Sequence, residues 1–501
     1  SAGNDHFLCW IPEAHGDDLD AYLAELRTGK GGGIANLVGT NHAKVWLEDS
    51  FGMVKRWDEW GIPMSHDGEY LFAGHAFPGG LRARLKYWGK YQKKILTREA
   101  KKRGVRIVNR CMIFDLLGGP DGVGGAVGVM TREDRLACFQ AKAVFVGTGE
   151  MRRLFPGVTP AMMNNDTLPI TLTGDGRAMA YRLGAELTNM EMLYRHVGLR
   201  NFARQGQGSW IGVYRDPADN PIGPYVTEPN RLHGDKTPEV DKELFGRIFE
   251  GAKGPVYMDC RGISDEDLDF LQTSLGNEGN QAVVDHFRAE GVDLQQNAVE
   301  FATYSLIAVG GIYRNEKAET LVPGLYSAGD EWGNGISAAS IFGWIAGENA
   351  ARYAKDNDSP DSSKDQARID DLGHLIGGFA DGRRGHTWQD ANMALQQTMR
   401  DYAGLVRSGH MLEAGLGHLG RLKAKLKDGL GAENPLEVAR CLEVLNLYDM
   451  GELLIQSALD RTESRDLHRR VDCPLTDPLH NGKAHTAKWQ DQTPAFGWKG
   501  L

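Results

Sequence analysis

Three glycine-bearing turns carry the chemistry that can be read from this chain. Val146-Gly-Thr-Gly149 and Ala328-Gly-Asp330 each close a short apolar run, and Thr173-Gly-Asp-Gly176 opens a stretch of helical periodicity. A strand ending in glycine lets backbone N–H groups and a helix N-terminus approach a phosphate or a sugar. Asp330 adds a carboxylate that can accept a ribose or ribitol hydroxyl. Either strand turn alone suits an ordinary tight turn. Paired with each other and with 173–176, they point to one long, phosphate-bearing ligand. The 64 glycines among 501 residues, with no repeat, fit many close backbone approaches of that kind.

The elements that must position these turns follow from hydropathy. Val45, Leu47, Phe51, Val54 and Trp57 recur at helical spacing and stop at Gly61-Ile-Pro63, which predicts a helix over 42–60. A second helix is expected over 81–103, basic on one side, followed by a strand at 104–109. Residues 123–130 and 136–140 alternate across turn residues as a β-meander does. The apolar run 141–149 reads as a buried parallel strand entering the first turn. Helical character is expected from 176 to 186, a polar, loop-rich stretch over 195–254, and a strand at 255–259. The strand–turn–helix pattern recurs over 321–351. Residues 355–364 read as a linker, and 389–427 and 435–460 as long helices.

Composition narrows the class. Fifty-seven Lys and Arg against 67 Asp and Glu leave a formal charge of −10, which argues against a general nucleic-acid binder. The apolar run 301–313 is too short to span a bilayer. Length alone predicts about three domains at roughly 150 residues each. Six cysteines without a C-x-x-C pair indicate reduced, buried thiols rather than a disulfide framework, a metal site or a cluster bound by this chain. The start, Ser-Ala-Gly-Asn-Asp-His, reads like mid-protein sequence, so a targeting segment is not excluded, and a cytoplasmic protein is the expectation.

Several segments stand in the order of a known family: Gly147-Thr-Gly-Glu150, Thr173–Ala185, Met190-Glu-Met192, Gly310-Gly-Ile312, Pro323–Asp330 and Arg461-Thr-Glu-Ser-Arg465. Over nearly all of its length the chain resembles the flavoprotein subunit of the succinate dehydrogenase/fumarate reductase superfamily. Thr237-Pro238, Gly254-Pro-Val-Tyr-Met258 and Leu395–Gly404 are most similar to the adenylylsulfate reductase alpha-subunit branch. The resemblance implies an α/β fold with an FAD-binding Rossmann-like domain, an inserted α+β capping domain and a C-terminal helical domain. The corresponding boundaries are 1–195 and 306–355 for the two parts of the FAD domain, 196–305 for the cap, and 356–501 for a linker and the helical domain. FAD is the implied cofactor, with a small-molecule substrate and an iron–sulfur electron-transfer subunit as partners.

Two departures shape the expectation. The family opens with a strand and G-x-G-x-x-G that hold the FAD pyrophosphate, and nothing before Trp46 supplies them. Gly29-Lys-Gly-Gly-Gly33 follows a helical stretch and reads as a loop. The first βαβ unit is therefore expected to be missing, by truncation or because another polypeptide completes the site. The dicarboxylate-binding residues of the family are also only partly kept. His196 matches one histidine, but the second falls at Leu306, one arginine is absent from 335–340, and the proton-delivering arginine falls near Lys236. Simple fumarate reduction is disfavoured on that ground, because planar carboxylates are best clamped by bidentate arginine.

By the resemblance, Asn4, Asp5 and His6 meet the isoalloxazine ring, with His6 as a proton donor, a covalent flavin ligand or a loop cap. His196 is the stronger general acid or base, since an imidazole titrates near working pH. Arg204, with Arg200 and Trp210, lies downstream in the cap. Lys90 aligns with a segment near the flavin. Gly147, Thr148, Gly149, Thr173, Gly174, Asp175, Gly329 and Asp330 are the expected cofactor contacts. Ser337, Ala338 and Ala339, at a helix start, would offer N–H groups to the reduced, anionic flavin. Trp332 could stack or simply pack, and Arg461–Arg465 with His468 and Asp472 reads as a charge-paired structural turn. No metal ligands are indicated. The expected activity is FAD-dependent oxidoreduction, by hydride exchange at N5 with a separate electron partner. Adenylylsulfate chemistry at N5 is the alternative, and a non-catalytic assembly subunit lacking FAD is a further one.

Overall fold

Alternating apolar residues from 111 to 140 build an antiparallel meander of β3 (Cys111–Gly119), β4 (Gly122–Met130) and β5 (Leu136–Gln140). The computed structural model describes residues 6–28, 39–72, 83–157, 169–200, 210–222, 254–329, 335–358, 365–380 and 385–501. β1 (His6–Leu8) and β2 (Arg84–Lys86) pair antiparallel, placing His6 opposite Lys86. β6 (Val144–Val146) and β13 (Leu325–Ser327) pair in parallel, 181 positions apart in register. β7 (Glu186–Thr188), β12 (Gly311–Ile312) and the terminal hairpin β16 (Lys483–Gln490) and β17 (Thr493–Gly500) form one sheet in the order β12-β7-β16-β17. A short parallel pair, β14 (Val406–Arg407) and β15 (Arg469–Arg470), ties the last long helices to the turn that precedes the hairpin.

A separate antiparallel sheet has the order β8-β11-β10-β9, from β8 (Leu193–Leu199), β9 (Val213–Arg215), β10 (Val256–Asp259) and β11 (Val299–Ala308). Helices Asp265–Leu275 and Gln281–Glu290 cover it. Trp210, Tyr214, Met258, Leu271, Phe287 and Phe301 form a hydrophobic core between this sheet and its helices. The other large core joins the meander and helix Asp175–Leu183 to helices Trp388–Ala403, Gly409–Gly429 and Pro435–Asp460. Helix Pro435–Asp460 runs through its centre. Asn434 caps it by accepting from the Glu437 amide at 3.1 Å, and Pro435 suits the first turn.

The 42–60 prediction is met by helix Thr40–Glu59, whose buried Ala43, Trp46, Leu47, Met53, Val54 and Trp57 lie on one face. The 81–103 prediction is not. Residues 84–86 are strand, drawn out by pairing with β1, and the helix is only Gln92–Lys102 after a 3-10 turn at Gly89–Tyr91. The strand expected at 104–109 is also absent: 101–110 are exposed throughout, and without a neighbouring strand to pair with, alternation alone does not make one. The 389–427 period breaks at β14, and the terminal hairpin in the nominally helical region was not foreseen. The thiols are all free, but only Cys9, Cys260 and Cys441 are buried, while Cys138 is exposed. No helix among the described residues is long and apolar enough to cross a membrane.

Candidate functional site

The two strand turns lie side by side. Val146 pairs with Ser327, and the Ala328 amide donates to the Val146 carbonyl at 3.2 Å, so both chains leave their parallel strands at the same end. Gly149 and Gly329 then adopt φ of +87° and +85°, the left-handed region that glycine enters without a Cβ clash. The first turn is clamped to helix Asp175–Leu183. Thr148 Oγ1 accepts from the Gly176 amide at 3.1 Å, and Arg177 donates to the Gly149 carbonyl at 2.7 Å and the Gly310 carbonyl at 2.6 Å. One buried guanidinium thus ties the Gly147–Gly149 turn to the Gly310-Gly-Ile segment.

The second turn meets another helix start. In helix Gly335–Asp356, Ser337 Oγ donates to the Leu8 carbonyl at 2.5 Å and accepts from Trp46 Nε1 at 2.7 Å. A Cβ built on Gly329 would lie 3.5 Å from the Ala339 methyl. β1, the Gly329 turn and the first turn of this helix are therefore in contact, with His6 two residues before Leu8. Both glycine turns abut helix N-termini, whose amides and positive dipole ends suit a pyrophosphate or an anionic ring. The Ser327 hydroxyl, at the end of β13, is buried and has no hydrogen-bond partner among the described residues. Left-handed glycines at the ends of two adjacent parallel strands, with two helix starts against them, fit FAD.

Asp175 occupies the first position of its helix but faces inward. It accepts from Thr173 Oγ1 at 2.6 Å and from Asn446 Nδ2 at 2.7 Å, and burial pushes its carboxyl up to about 6. Beyond the Met190-Glu-Met192 motif lies a buried ionic cluster. Arg461 donates to Glu191 at 2.8 Å, while the His485 imidazole lies 3.2 Å from Glu191 and 2.9 Å from Asp460. Burial opposes a charge on His485, yet Glu191 and Asp460 outweigh it and raise the imidazole to about 9. His468 goes the other way, held down to about 3 by burial and by Arg407, which lies 3.0 Å from its Nδ1. This cluster fits the charge-paired turn expected at 461–472 and fastens β16 of the terminal hairpin to the Asn189–Glu191 segment that precedes β8.

Among the expected cofactor residues, Gly147, Thr148, Gly149, Thr173, Gly174, Asp175, Gly329, Ser337, Ala338 and Ala339 gather around these two turns and helix starts. Asn4, Asp5, Arg204, Lys236, Asp330 and Trp332 lie outside the described residues. His196 sits in β8 with its backbone in register with Ser305 of β11. Arg200 is exposed and pairs with Glu300. Trp210 is fully buried, its ring 5.1 Å from that of Phe301, so it packs the core beneath the β8-β11-β10-β9 sheet instead of facing a ligand. Lys90 is exposed, with its ammonium 5.6 Å from the Tyr91 ring. The buried cation of that segment is Lys86, opposite His6. Arg177, Trp46 and Lys86 were missed, although Arg177 follows the Thr173–Gly176 motif directly and could have been read as its clamp.

A parallel strand pair with twin glycine turns, each met by a helix start, is the arrangement of a nucleotide-binding α/β fold. Residues 37–341 match the FAD binding domain family and residues 392–499 the fumarate reductase flavoprotein C-terminal family. The chain belongs to the succinate dehydrogenase/fumarate reductase flavoprotein family; it is an FAD-dependent oxidoreductase. It is 26% identical over 399 residues to an uncharacterized FAD-dependent oxidoreductase of Methanocaldococcus jannaschii, covering 74% of this chain and 68% of that protein. It is also 26% identical to a fumarate reductase flavoprotein subunit of Mycobacterium tuberculosis, over 84% of this chain and 77% of that one. In fold it is similar to adenylylsulfate reductase from Archaeoglobus fulgidus, with TM-score 0.82 and 19% identity, covering 100% of this chain and 89% of that one. The likeness to E. coli quinol fumarate reductase has TM-score 0.79 and 17% identity, with the same coverages.

Proposed function

We propose that the protein exchanges a hydride between a small-molecule substrate and N5 of FAD, and passes electrons to or from a separate iron–sulfur protein. The observation that carries this reading is the Ala328–Val146 hydrogen bond, which sets both glycine turns at one end of one strand pair. FAD supplies the hydride-accepting ring when bound. The chain supplies the rest. Gly147–Gly149, Thr173–Asp175 and Gly329-Asp330 would hold the nucleotide, and Ser337–Ala339 would offer their amides to the ring. In this reading His196 moves the proton, His6 and Arg204 are the further catalytic residues, with His6 a proton donor or a covalent flavin ligand, and residues 196–305 form a cap over the substrate. A cytoplasmic protein that binds no nucleic acid is in keeping with this reading.

Relatives named fumarate reductase flavoprotein subunit and L-aspartate oxidase favour a carboxylate-bearing substrate. The fold likeness to adenylylsulfate reductase is of the same order, so adduct formation with adenylylsulfate at N5 is the second reading. Turnover is to be measured with fumarate, other enoates, aspartate and adenylylsulfate, using an artificial electron carrier. The first reading expects one of the carboxylates to turn over and His196→Gln to cut kcat. Activity on adenylylsulfate alone would favour the second. A preparation without flavin bands near roughly 370 and 450 nm would defeat both.

A further inference from the structure

We infer that Trp46, enclosed in the core, is a positioning residue that sets the electron affinity of the bound flavin by acting through Ser337. This rests on the proposed function and deepens it, naming what holds the ring-binding helix start in place. Trp46 is 1% exposed on helix Thr40–Glu59 and shares a core cluster with Ala338, Ile341 and Phe342 of helix Gly335–Asp356. Phenylalanine would serve that packing as well; what the indole adds is one N–H. A buried indole N–H usually finds a partner, and this one donates to the Ser337 hydroxyl at 2.7 Å. Ser337 in turn donates its own hydrogen to the Leu8 carbonyl of β1 at 2.5 Å. The relay joins three elements that are distant in sequence, and each bond polarises the next.

The place of Ser337 in its helix gives the relay its consequence. A serine hydroxyl in a first turn can fold back onto the backbone of its own helix. Here its hydrogen goes to β1 and its oxygen takes the indole N–H, so the hydroxyl is drawn outward to two other elements. The amides that have no partner inside the helix, together with the positive end of its dipole, then serve the ring. The same turn is braced elsewhere. Ser340 Oγ donates to the Ser337 carbonyl at 2.7 Å, and a Cβ built on Gly329 would lie 3.5 Å from the Ala339 methyl. The effect of a helix end is confined to its last turn, so a ring held there responds to small displacements of that turn. Reduction places negative charge on the ring. A firmly held helix start favours the reduced form, and one released from Trp46 favours it less.

The test is a dye-equilibrated reductive titration of the intact protein with its flavin bound, beside a thermal melt. Trp46→Phe keeps an aromatic ring and removes the N–H; Ser337→Ala removes the hydroxyl with little change of volume. Each is expected to lower the ratio of reduced to oxidised flavin, at a fixed state of the dye, by at least about threefold. The double variant is expected to match Ser337→Ala alone, because Trp46 acts through that hydroxyl. Ser337→Thr, which keeps the hydroxyl, is expected to retain the wild-type ratio. Val54→Ala, on the same buried helix face, is expected to lower the thermal midpoint and leave the ratio unchanged. Should Trp46→Phe fail to fold, 3-benzothienylalanine at position 46 keeps the indole shape without the N–H and is expected to give the same fall. An unshifted ratio on loss of the Trp46 N–H would overturn the inference, whatever the melt shows, and so would additive effects in the double variant. A colourless protein would defeat the functional reading and this inference with it, whereas bound flavin with unshifted ratios would defeat this inference alone.

Discussion

The guanidinium of Arg177 donates to the carbonyl of Gly149 at 2.7 Å from a position that is 2% exposed. Its Nε serves the Gly310 carbonyl at 2.6 Å, so one side chain satisfies two buried acceptors on segments 161 residues apart. Removing it strands both carbonyls, at about 1–3 kcal/mol each. Arg177→Met is expected to lower the thermal midpoint and to leave the purified protein with a smaller flavin-to-protein absorbance ratio. Arg177→Lys, which can reach only one carbonyl at a time, should fall between the two. Wild-type flavin content in Arg177→Met would separate the clamp from cofactor binding.

Gly149 and Gly329 offer an independent test of the same turns. A β-branched residue at φ near +85° carries the left-handed penalty of about 1–2 kcal/mol, which outweighs the roughly 0.4–1 kcal/mol returned by a less flexible unfolded chain. Gly329→Val is expected to reduce FAD retention more than overall stability, because among the described residues its Cβ meets the Ala339 methyl alone, at 3.5 Å. Equilibrium dialysis against FAD, alongside a thermal melt, reads the two effects separately. A melt that shifts while FAD affinity does not would show that the turn is structural only.

The sequence made these turns legible because each is local: a few apolar residues, then glycine, need no distant partner to be recognised. The same holds for helix Pro435–Asp460, with its Asn-Pro start and unbroken apolar period. What was not legible depended on pairing at a distance. Residues 84–86 look like the start of a basic helix until His6, some eighty residues earlier, supplies a strand beside them. Val105 to Val108 alternate as a strand does, yet stay unpaired and exposed. The terminal hairpin is carried by β7, nearly three hundred residues upstream, and its own sequence is too polar to announce it. Trp210 sits in a polar stretch that reads as loop, and only the β8-β11-β10-β9 sheet reveals it as core.

The Glu191–His485 pair gives a pH dependence with a definite sign. The folded imidazole is raised to about 9 from an ordinary 6.5, so its contribution is complete below pH 6.5 and is lost as the pH climbs through 9. The thermal midpoint should therefore decline from pH 6.5 to 9, and His485→Gln should flatten that decline. Glu191→Gln is expected to be worse, about 3–5 kcal/mol, because it removes the carboxylate that both Arg461 and His485 face in the interior and leaves Arg461 with Glu463, 3.3 Å away, as its remaining acidic partner. A decline of unchanged slope in His485→Gln would place the titration elsewhere.

Asp175 carries the opposite sign and decides between two roles. Its carboxyl is raised to about 6 by burial, so ionisation costs stability as the pH rises from 3.8 to 6, and the cost persists at neutral pH. Asparagine can occupy the same space: its carbonyl still accepts from Asn446, and its amide can donate to Thr173 Oγ1 in place of the bond that Thr173 now donates. Asp175→Asn is thus expected to be as stable as the wild type or more so at pH 7, and to lose the pH dependence between 4 and 6. If Asp175 only braces the helix start, FAD affinity should hold within about threefold. If the carboxylate reaches the cofactor after all, affinity falls while stability rises, a combination that no purely structural role produces.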